Sequence, residues 1–380
     1  MQIQSKLPKV GSSIFSVMSA MARDYQAINL SQGFPNFDGS DKLKQLVNKH
    51  IKAGKNQYAP MAGVPELREQ IARKFQNLYN VEVDANTEIT VTAGATQAIF
   101  TVIAAFIRPG DEVIMIEPAY DSYRPSVELN GGRPVTYELS GPDYKVDWNH
   151  LQKLVSFKTK MIIINTPQNP IGKTLKLEDY QALEKITDGT DILILSDEVY
   201  EHLVFDGFEH HSILKFPKLR ERSLATFSFG KTYHHTGWKL GYCVAPPNLM
   251  AEFQKVHQFN VFCVNTPMQY ALADFMEFPE EYLNLPAFYQ KKRDFLLEAV
   301  KGTSLRPIKC EGTYFQLFDY SAVSQDNDME FAKWLIQEHG VATVPVSAFY
   351  SSRKNEHVIR VCFAKTEETL AQAAAILKKI

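Results

Sequence analysis

Short runs of aliphatic and β-branched residues alternate with longer stretches in which apolar side chains recur every three or four positions. The short runs are Glu88–Thr92, Glu112–Ile116, Met161–Ile164, Ile192–Ser196, Ser223–Ser228 and Leu240–Ala245. Two of them, MIII and ILIL, are apolar throughout, as expected of strands covered on both faces. Helical spacing falls on Pro65–Asn80, Thr96–Ile107, Leu177–Ile186, Asn248–Val256 and Gln269–Glu277. Strands alternating with helices predict an α/β fold built on a doubly wound, mostly parallel sheet.

The texture changes near residue 280. A long charged helix is expected over Glu280–Val300, then a strand at Thr313–Phe318 and a helix at Asp328–Glu338. Strands at Ala342–Pro345 and Val358–Phe363 and a final helix from Thr366 complete the pattern. This reads as a large domain over 41–280 and a smaller α+β C-terminal domain over 281–380. Residues 1–40 are too few for a domain and form an arm that covers the site and packs with the small domain.

Composition narrows the function classes. The 380 residues are 45% hydrophobic and 22% charged, which excludes disordered, collagen-like and coiled-coil chains. A net charge of −2 leaves no basic excess for nucleic acid. The longest apolar run, Ala98–Ile107, falls short of the roughly 18 residues a membrane span requires, so no membrane partner is expected. The opening MQIQSKLPKV lacks an apolar secretory core, so a cytoplasmic location is expected. Cys243, Cys263, Cys310 and Cys362 form no C-x-x-C pair and read as reduced core thiols. The histidines show no metal-ligand spacing, and no metal is expected.

Three nucleotide and hydrolase signatures fail. No G-x-G-x-x-G follows the early strands, and no G-x-S-x-G elbow occurs. Two G-K-T tripeptides, at Gly172–Thr174 and Gly230–Thr232, suggest a P-loop, but Pro167 and Ala225 stand where its first glycine belongs.

Four other segments fall where strands should end. Thr92–Gln97 (TAGATQ) is a small-residue turn opening a helix, either a simple cap or an anion cradle. Asn165–Gly172 (NTPQNPIG) fixes a strand exit rigidly and aims a side-chain amide outward, or is merely a turn. In Ser196–Tyr200 (SDEVY), an acid directly follows an apolar strand, which is costly without a cationic partner. Lys231, in SFGKTYHHTGWKLG, follows another apolar strand among Phe229, Tyr233 and Trp238. On a surface it would be an ordinary solvated lysine; in an apolar pocket its pKa falls and the amine becomes a nucleophile able to form a Schiff base. Anion cradle, buried acid, cleft amide and nucleophilic lysine together fit pyridoxal 5′-phosphate, which needs an aldehyde-trapping amine, a phosphate site and a carboxylate for its ring nitrogen.

These segments, with SQGFPNFDG, NQYAPMAGVPELR, EPAYDSY and HVIRVCFAK, resemble the fold-type I, class I aminotransferases over essentially the whole chain. Within that family the likeness is greatest to the bacterial methionine and kynurenine/glutamine–phenylpyruvate group. The resemblance implies a seven-stranded large domain, a small C-terminal domain and a homodimer with shared active sites. It makes Lys231 the Schiff-base lysine and Asp197 the partner of the pyridinium nitrogen. Asn169 and Tyr200 would bind the ring hydroxyl, and Tyr120 would stack on the ring. Ala95, Thr96, Ser228 and Lys239 would hold the phosphate, joined by Tyr58 from the neighbouring subunit. Arg360 would grip the substrate carboxylate with Asn169 and the backbone at Gly33. Two departures stand out: Lys239 occupies a position where many relatives carry arginine, and Ile171 replaces the threonine of N-P-T-G.

The activity implied is transfer of an amino group from methionine or another large apolar or aromatic amino acid, with glutamine and histidine also in range, to a 2-oxo acid. The rival on the same scaffold is a β-lyase acting on cysteine S-conjugates or cystathionine. A transcriptional regulator that senses the same cofactor is disfavoured, because the aminotransferase-like pattern begins within about 30 residues of the start and the chain is slightly acidic. No second arginine is apparent for a side-chain carboxylate, since Arg293, Arg306 and Arg353 sit in polar contexts that read as surface. Ile14, Phe15, Met18 and Phe34 are expected to form an apolar lid over the substrate.

Overall fold

The computed structural model describes residues 3–8 and 10–380; the parts of the expected arm at positions 1, 2 and 9 lie outside the described residues. The chain opens with a helix, Ile14–Asp24, and a two-residue strand β1 (Ile28–Asn29). Seven strands follow, separated by helices: β2 (Ile89–Thr92), β3 (Glu112–Glu117), β4 (Arg133–Glu138), β5 (Thr159–Asn165), β6 (Leu193–Asp197), β7 (Ser223–Ser228) and β8 (Gly241–Val244). They form one sheet in the order β2-β8-β7-β6-β5-β3-β4. Only β8 runs against its neighbours, so the sheet is mostly parallel as expected.

Alternate side chains of the apolar runs serve opposite layers. Ile162, Ile164 and Ile194 belong to one core cluster; Ile163, Leu193 and Leu195 belong to the other. In the second cluster the helices Ala95–Phe106 and Pro247–Asn260 cover the sheet through Ile99, Val102, Ile103, Met250 and Phe253. Each such side chain contributes about 1.5–3 kcal/mol by leaving water. Both faces of the sheet are therefore closed, and the open edge is the row of strand carboxyl ends.

A four-stranded antiparallel sheet, β12-β13-β10-β9, completes the α/β architecture, with β9 at Arg306–Pro307, β10 at Phe315–Asp319, β12 at Val344–Pro345 and β13 at Val358–Cys362. The remaining strand, β11 (Val341–Ala342), pairs in parallel with β1. Met18 and Ala22 of the first helix pack with Ala332, Ile336 and Ala342.

Some elements differ from expectation. Strand β4 (RPVTYE) escaped notice because it is a half-exposed edge strand carrying a proline, without a buried strand's apolar run. The long helix expected over Glu280–Val300 is two helices, Glu280–Leu283 and Leu285–Ala299. Pro286 in the first turn of the second lacks the N–H that would continue the ladder. Residues 342–345 split between two sheets instead of forming one strand.

Arg293 is buried rather than on the surface. Its guanidinium makes two 2.7 Å hydrogen bonds to the Asp206 carboxylate. Arg306 and Arg353 are exposed as expected.

Candidate active site

The carboxyl ends of β2, β5, β6 and β7 converge on a cavity of about 290 Å³. Register brings Asn165, which ends β5, level with Asp197, which ends β6, and Asp197 level with Thr226, two residues before β7 ends at Ser228. In an open α/β sheet, this carboxyl edge is where ligands bind. Of the residues singled out in the sequence, Gly33, Ala95, Thr96, Tyr120, Asn169, Asp197, Tyr200, Ser228, Lys231, Lys239 and Arg360 all line this cavity. Tyr58 does not. It is 83% exposed and packs edge-on against Phe262 at 5.2 Å.

One end of the cavity is built for an anion. Gly94 caps the helix Ala95–Phe106 with φ 79° and offers no side-chain partner to the first-turn N–H groups. Those donors and the positive helix end suit a phosphate. The Lys239 Nζ lies 3.6 Å from the point where a Cβ on Gly94 would stand, so a side chain there would fill the cradle. Thr96 Oγ1 lies 3.3 Å from the Tyr120 hydroxyl, and Ser228 Oγ accepts from the Lys231 amide.

The middle of the cavity holds the acid and the amine. Asp197 accepts from the Tyr123 hydroxyl at 2.5 Å and from the Val199 amide at 3.3 Å. Burial nevertheless pushes its carboxyl up to about 6, because neither donor is a cation. A carboxylate in that condition is suited to a protonated ring nitrogen. Burial pushes the Lys231 amine the opposite way, down to about 8. Its Nζ donates to the Gly33 carbonyl at 3.0 Å and to the Tyr314 hydroxyl at 2.8 Å.

At the far end stands Arg360. It lies in β13 between β12 and β10 and is 1% exposed, so it is not an edge-strand arginine facing water. Its guanidinium donates to Asn169 Oδ1 at 2.7 Å and to the Ser31 carbonyl at 3.0 Å, and stacks 3.8 Å above the Phe315 ring. The buried Nε has no partner among the described residues. Desolvation lowers the group to about 10, still cationic at neutral pH. Asn169 is itself fixed, its backbone N–H donating to Asn165 Oδ1.

Sequence reasoning missed Tyr123, Tyr314 and Phe315 as site residues. Tyr123 lay inside the EPAYDSY motif and Tyr314-Phe315 in a strand-like run, but nothing in either marked a contact with residues 74 or 83 positions away. Of the expected lid, Phe15 and Phe34 line the cavity, whereas Ile14 and Met18 pack against the helix Asp328–His339 and β11.

Phosphate cradle, buried carboxylate without a cationic hydrogen-bond partner, desolvated amine and buried guanidinium fit the set of groups that pyridoxal phosphate and an amino acid require. On this fold, such an arrangement marks an enzyme that works at the α-carbon of an amino acid, a transaminase or a lyase. The chain belongs to the family described as aminotransferase class I and II, whose model matches residues 25–377. It is 51% identical over 378 residues to the methionine aminotransferase of Escherichia coli, covering 99% of this chain and 98% of that protein. It is 35% identical to human kynurenine–oxoglutarate transaminase 3, covering 98% and 89% of the two chains. A crystal structure from Escherichia coli that identified a methionine aminotransferase function superposes with a TM-score of 0.98 at 51% identity, covering both chains fully.

Proposed function

We propose that this aminotransferase uses pyridoxal 5′-phosphate to move the amino group of methionine and other large apolar or aromatic amino acids to a 2-oxo acid. The observation that carries the reading is the single cavity holding a desolvated amine, a buried acid and a buried guanidinium, at Lys231, Asp197 and Arg360. Ala95, Thr96, Ser228 and Lys239 would hold the phosphate; Asp197, Asn169, Tyr200 and Tyr120 would hold the ring. When bound, the cofactor supplies an aldehyde for the lysine and an electron-withdrawing ring that stabilises charge at the substrate α-carbon.

The chain's residues do the rest. Arg360 takes the substrate α-carboxylate in a two-point grip, with Asn169 holding the fork in place. The Lys231 Nζ, neutral in a usable fraction near pH 7.5, accepts the α-proton as general base and returns it as general acid. Asp197, with its carboxyl near 6 and so mostly ionised at neutral pH, would hold a proton on the ring nitrogen. Phe15, Ile99 and Phe315 line the space left for the side chain and favour an apolar one.

The same reading includes a homodimer. Tyr58 and Phe262 are exposed, and we assign Tyr58 to the phosphate site of the partner subunit. It also includes an arm over 1–40, a large domain over 41–280 and a small domain over 281–380. No helix among the described residues is long and apolar enough to cross a membrane. Four free cysteines suit a reducing compartment such as the cytoplasm.

The test has two parts. Borohydride reduction of the loaded protein followed by peptide mapping should mark Lys231. A panel of twenty amino acids against several 2-oxo acids should show amino exchange led by methionine; pyruvate and ammonia from a cysteine S-conjugate as the main products would turn the reading to a β-lyase.

A further inference from the structure

Lys231 does not stand alone on the cavity wall. Its Nζ, the Tyr314 hydroxyl and the Gly33 carbonyl form a closed triangle with sides of 2.8, 2.5 and 3.0 Å. The corners come from three separate parts of the chain: the turn after β1, the helix after β7 and the residue before β10. Tyr314 is fully buried. Its ring is wedged between Tyr200 at 5.2 Å, Tyr289 at 5.8 Å and Phe315 at 4.9 Å, so the hydroxyl has little freedom to move.

The direction of each hydrogen bond limits what the triangle does. A phenol has one proton, and here it goes to the Gly33 carbonyl. The Tyr314 oxygen is left as an acceptor, and the Gly33 oxygen has a second lone pair. Lys231 therefore meets two acceptors and no donor, an arrangement that favours the ammonium over the amine. Gly33 must be a glycine for this to hold, since a Cβ there would stand 2.8 Å from the Phe315 ring.

We propose that Tyr314 is the positioning residue for the Lys231 amine: anchored by Gly33, it gives the ε-nitrogen a fixed point on the cavity wall and stabilises its protonated form. This deepens the proposed function and rests on the reading of Lys231 as the reacting amine. Burial disfavours the ammonium, and so do the Arg360 and Lys239 charges; Asp197 and the Cys362 thiol oppose them, and Tyr200 faces the amine as a neutral phenol. The triangle acts against the first group. An amine held between these influences is usable both as base and as acid near neutral pH, whereas a free lysine tail would be neither fixed nor poised. The neighbouring Phe315 lies under the Arg360 guanidinium, so one dipeptide fixes both substrate-handling cations.

The test begins with the apoprotein, where the titration of Lys231 is read by competitive acetylation with acetic anhydride and mass spectrometry of its peptide. Tyr314→Phe removes one acceptor and keeps the ring, so the Lys231 midpoint should move toward acid by about one pH unit, a tenfold change in proton affinity. In the loaded enzyme, kcat should fall about tenfold while KM for methionine stays within about twofold, because the carboxylate grip is untouched. A midpoint that stays or moves toward base, or an unchanged kcat, overturns the proposal. Should Tyr314→Phe fail to fold, 3-fluorotyrosine at position 314 keeps ring and hydroxyl but makes the oxygen a poorer acceptor. It must then move the midpoint in the same direction by less, and no movement overturns the proposal equally. Failure of borohydride to mark Lys231 in the wild-type protein would instead overturn the proposed function; the apoprotein titration does not depend on that result.

Discussion

Arg360 and Asn169 are 191 positions apart and joined by a 2.7 Å hydrogen bond, which ties β13 of the four-stranded sheet to the N-P-I-G turn after β5 of the seven-stranded one. The bond holds the guanidinium plane while a second nitrogen reaches the Ser31 carbonyl. In the proposed function, a substrate carboxylate would meet a fork whose orientation is already fixed.

Replacing Arg360 with lysine should raise KM for every substrate, donor and acceptor alike, because all carry the α-carboxylate. Lysine supplies charge without the fork and loses the stacking on Phe315. Steady-state kinetics with two donors and two acceptors checks this; an effect confined to one substrate would mean that Arg360 reads a side chain.

If Lys231 is the attachment point proposed above, binding of pyridoxal phosphate to the apoprotein requires its neutral amine. Its pKa is depressed by burial to about 8, so the attachment rate should rise with pH through that value and level off about two units sooner than for an ordinary lysine. Stopped-flow absorbance across pH 6–10 gives the profile. A rate still climbing steeply at pH 10 would contradict the desolvated amine.

Asp197→Asn should separate activity from stability. Loss of the anion beside the ring should cost more than the about 10–150-fold attributable to one charge-assisted hydrogen bond, since the electron sink itself weakens. In the apoprotein the sign reverses. Burial raises the folded carboxyl from its ordinary 3.8 to about 6, so its ionisation costs the wild type stability as pH rises through that window. The penalty at pH 7 is roughly 3 kcal/mol, and asparagine escapes it. Urea melts of both apoproteins at pH 4 and 7 should show the gap opening only at the higher pH.

Among the described residues, the cations lining the cavity are Lys231, Lys239 and Arg360, all assigned in the proposed function to the cofactor or the α-carboxylate, and Arg293 is tied to Asp206. A distal carboxylate would be desolvated there without a partner, so kcat/KM for aspartate should fall well below that for methionine. Methionine should exceed alanine by roughly tenfold or more, at about 0.8 kcal/mol per buried methylene. Aspartate matching methionine would refute the apolar pocket and leave the cofactor assignment standing.

Behind Tyr200, the buried Lys74 ammonium pairs with Glu201, which also accepts from the Tyr79 hydroxyl at 2.7 Å. Burial works against the Glu201 carboxylate, yet Lys74 holds it down at about 2. Lys74→Met should therefore destabilise the protein by about 3–5 kcal/mol by stranding the anion. Glu201→Gln with Lys74→Met should recover much of the loss. Thermal melts of the single and double variants measure both effects.

The sequence by itself determined the parallel sheet, because wholly apolar runs such as MIII and ILIL are stable only when covered on both faces. It also marked Lys231, Asp197 and Asn169, because a lysine, an acid or an amide at the end of such a run must face the one open edge. These are local signals, carried by neighbours along the chain. The tertiary structure alone decided whether Arg360, in a strand that reads equally as an exposed edge, lies buried over Phe315. It alone paired Arg293 with Asp206, sent Met18 away from the cavity and brought Tyr123 to Asp197 and Tyr314 to Lys231. Each of those contacts joins residues from 45 to more than 300 positions apart, and no periodicity or motif records which distant segments will meet once the sheet has closed.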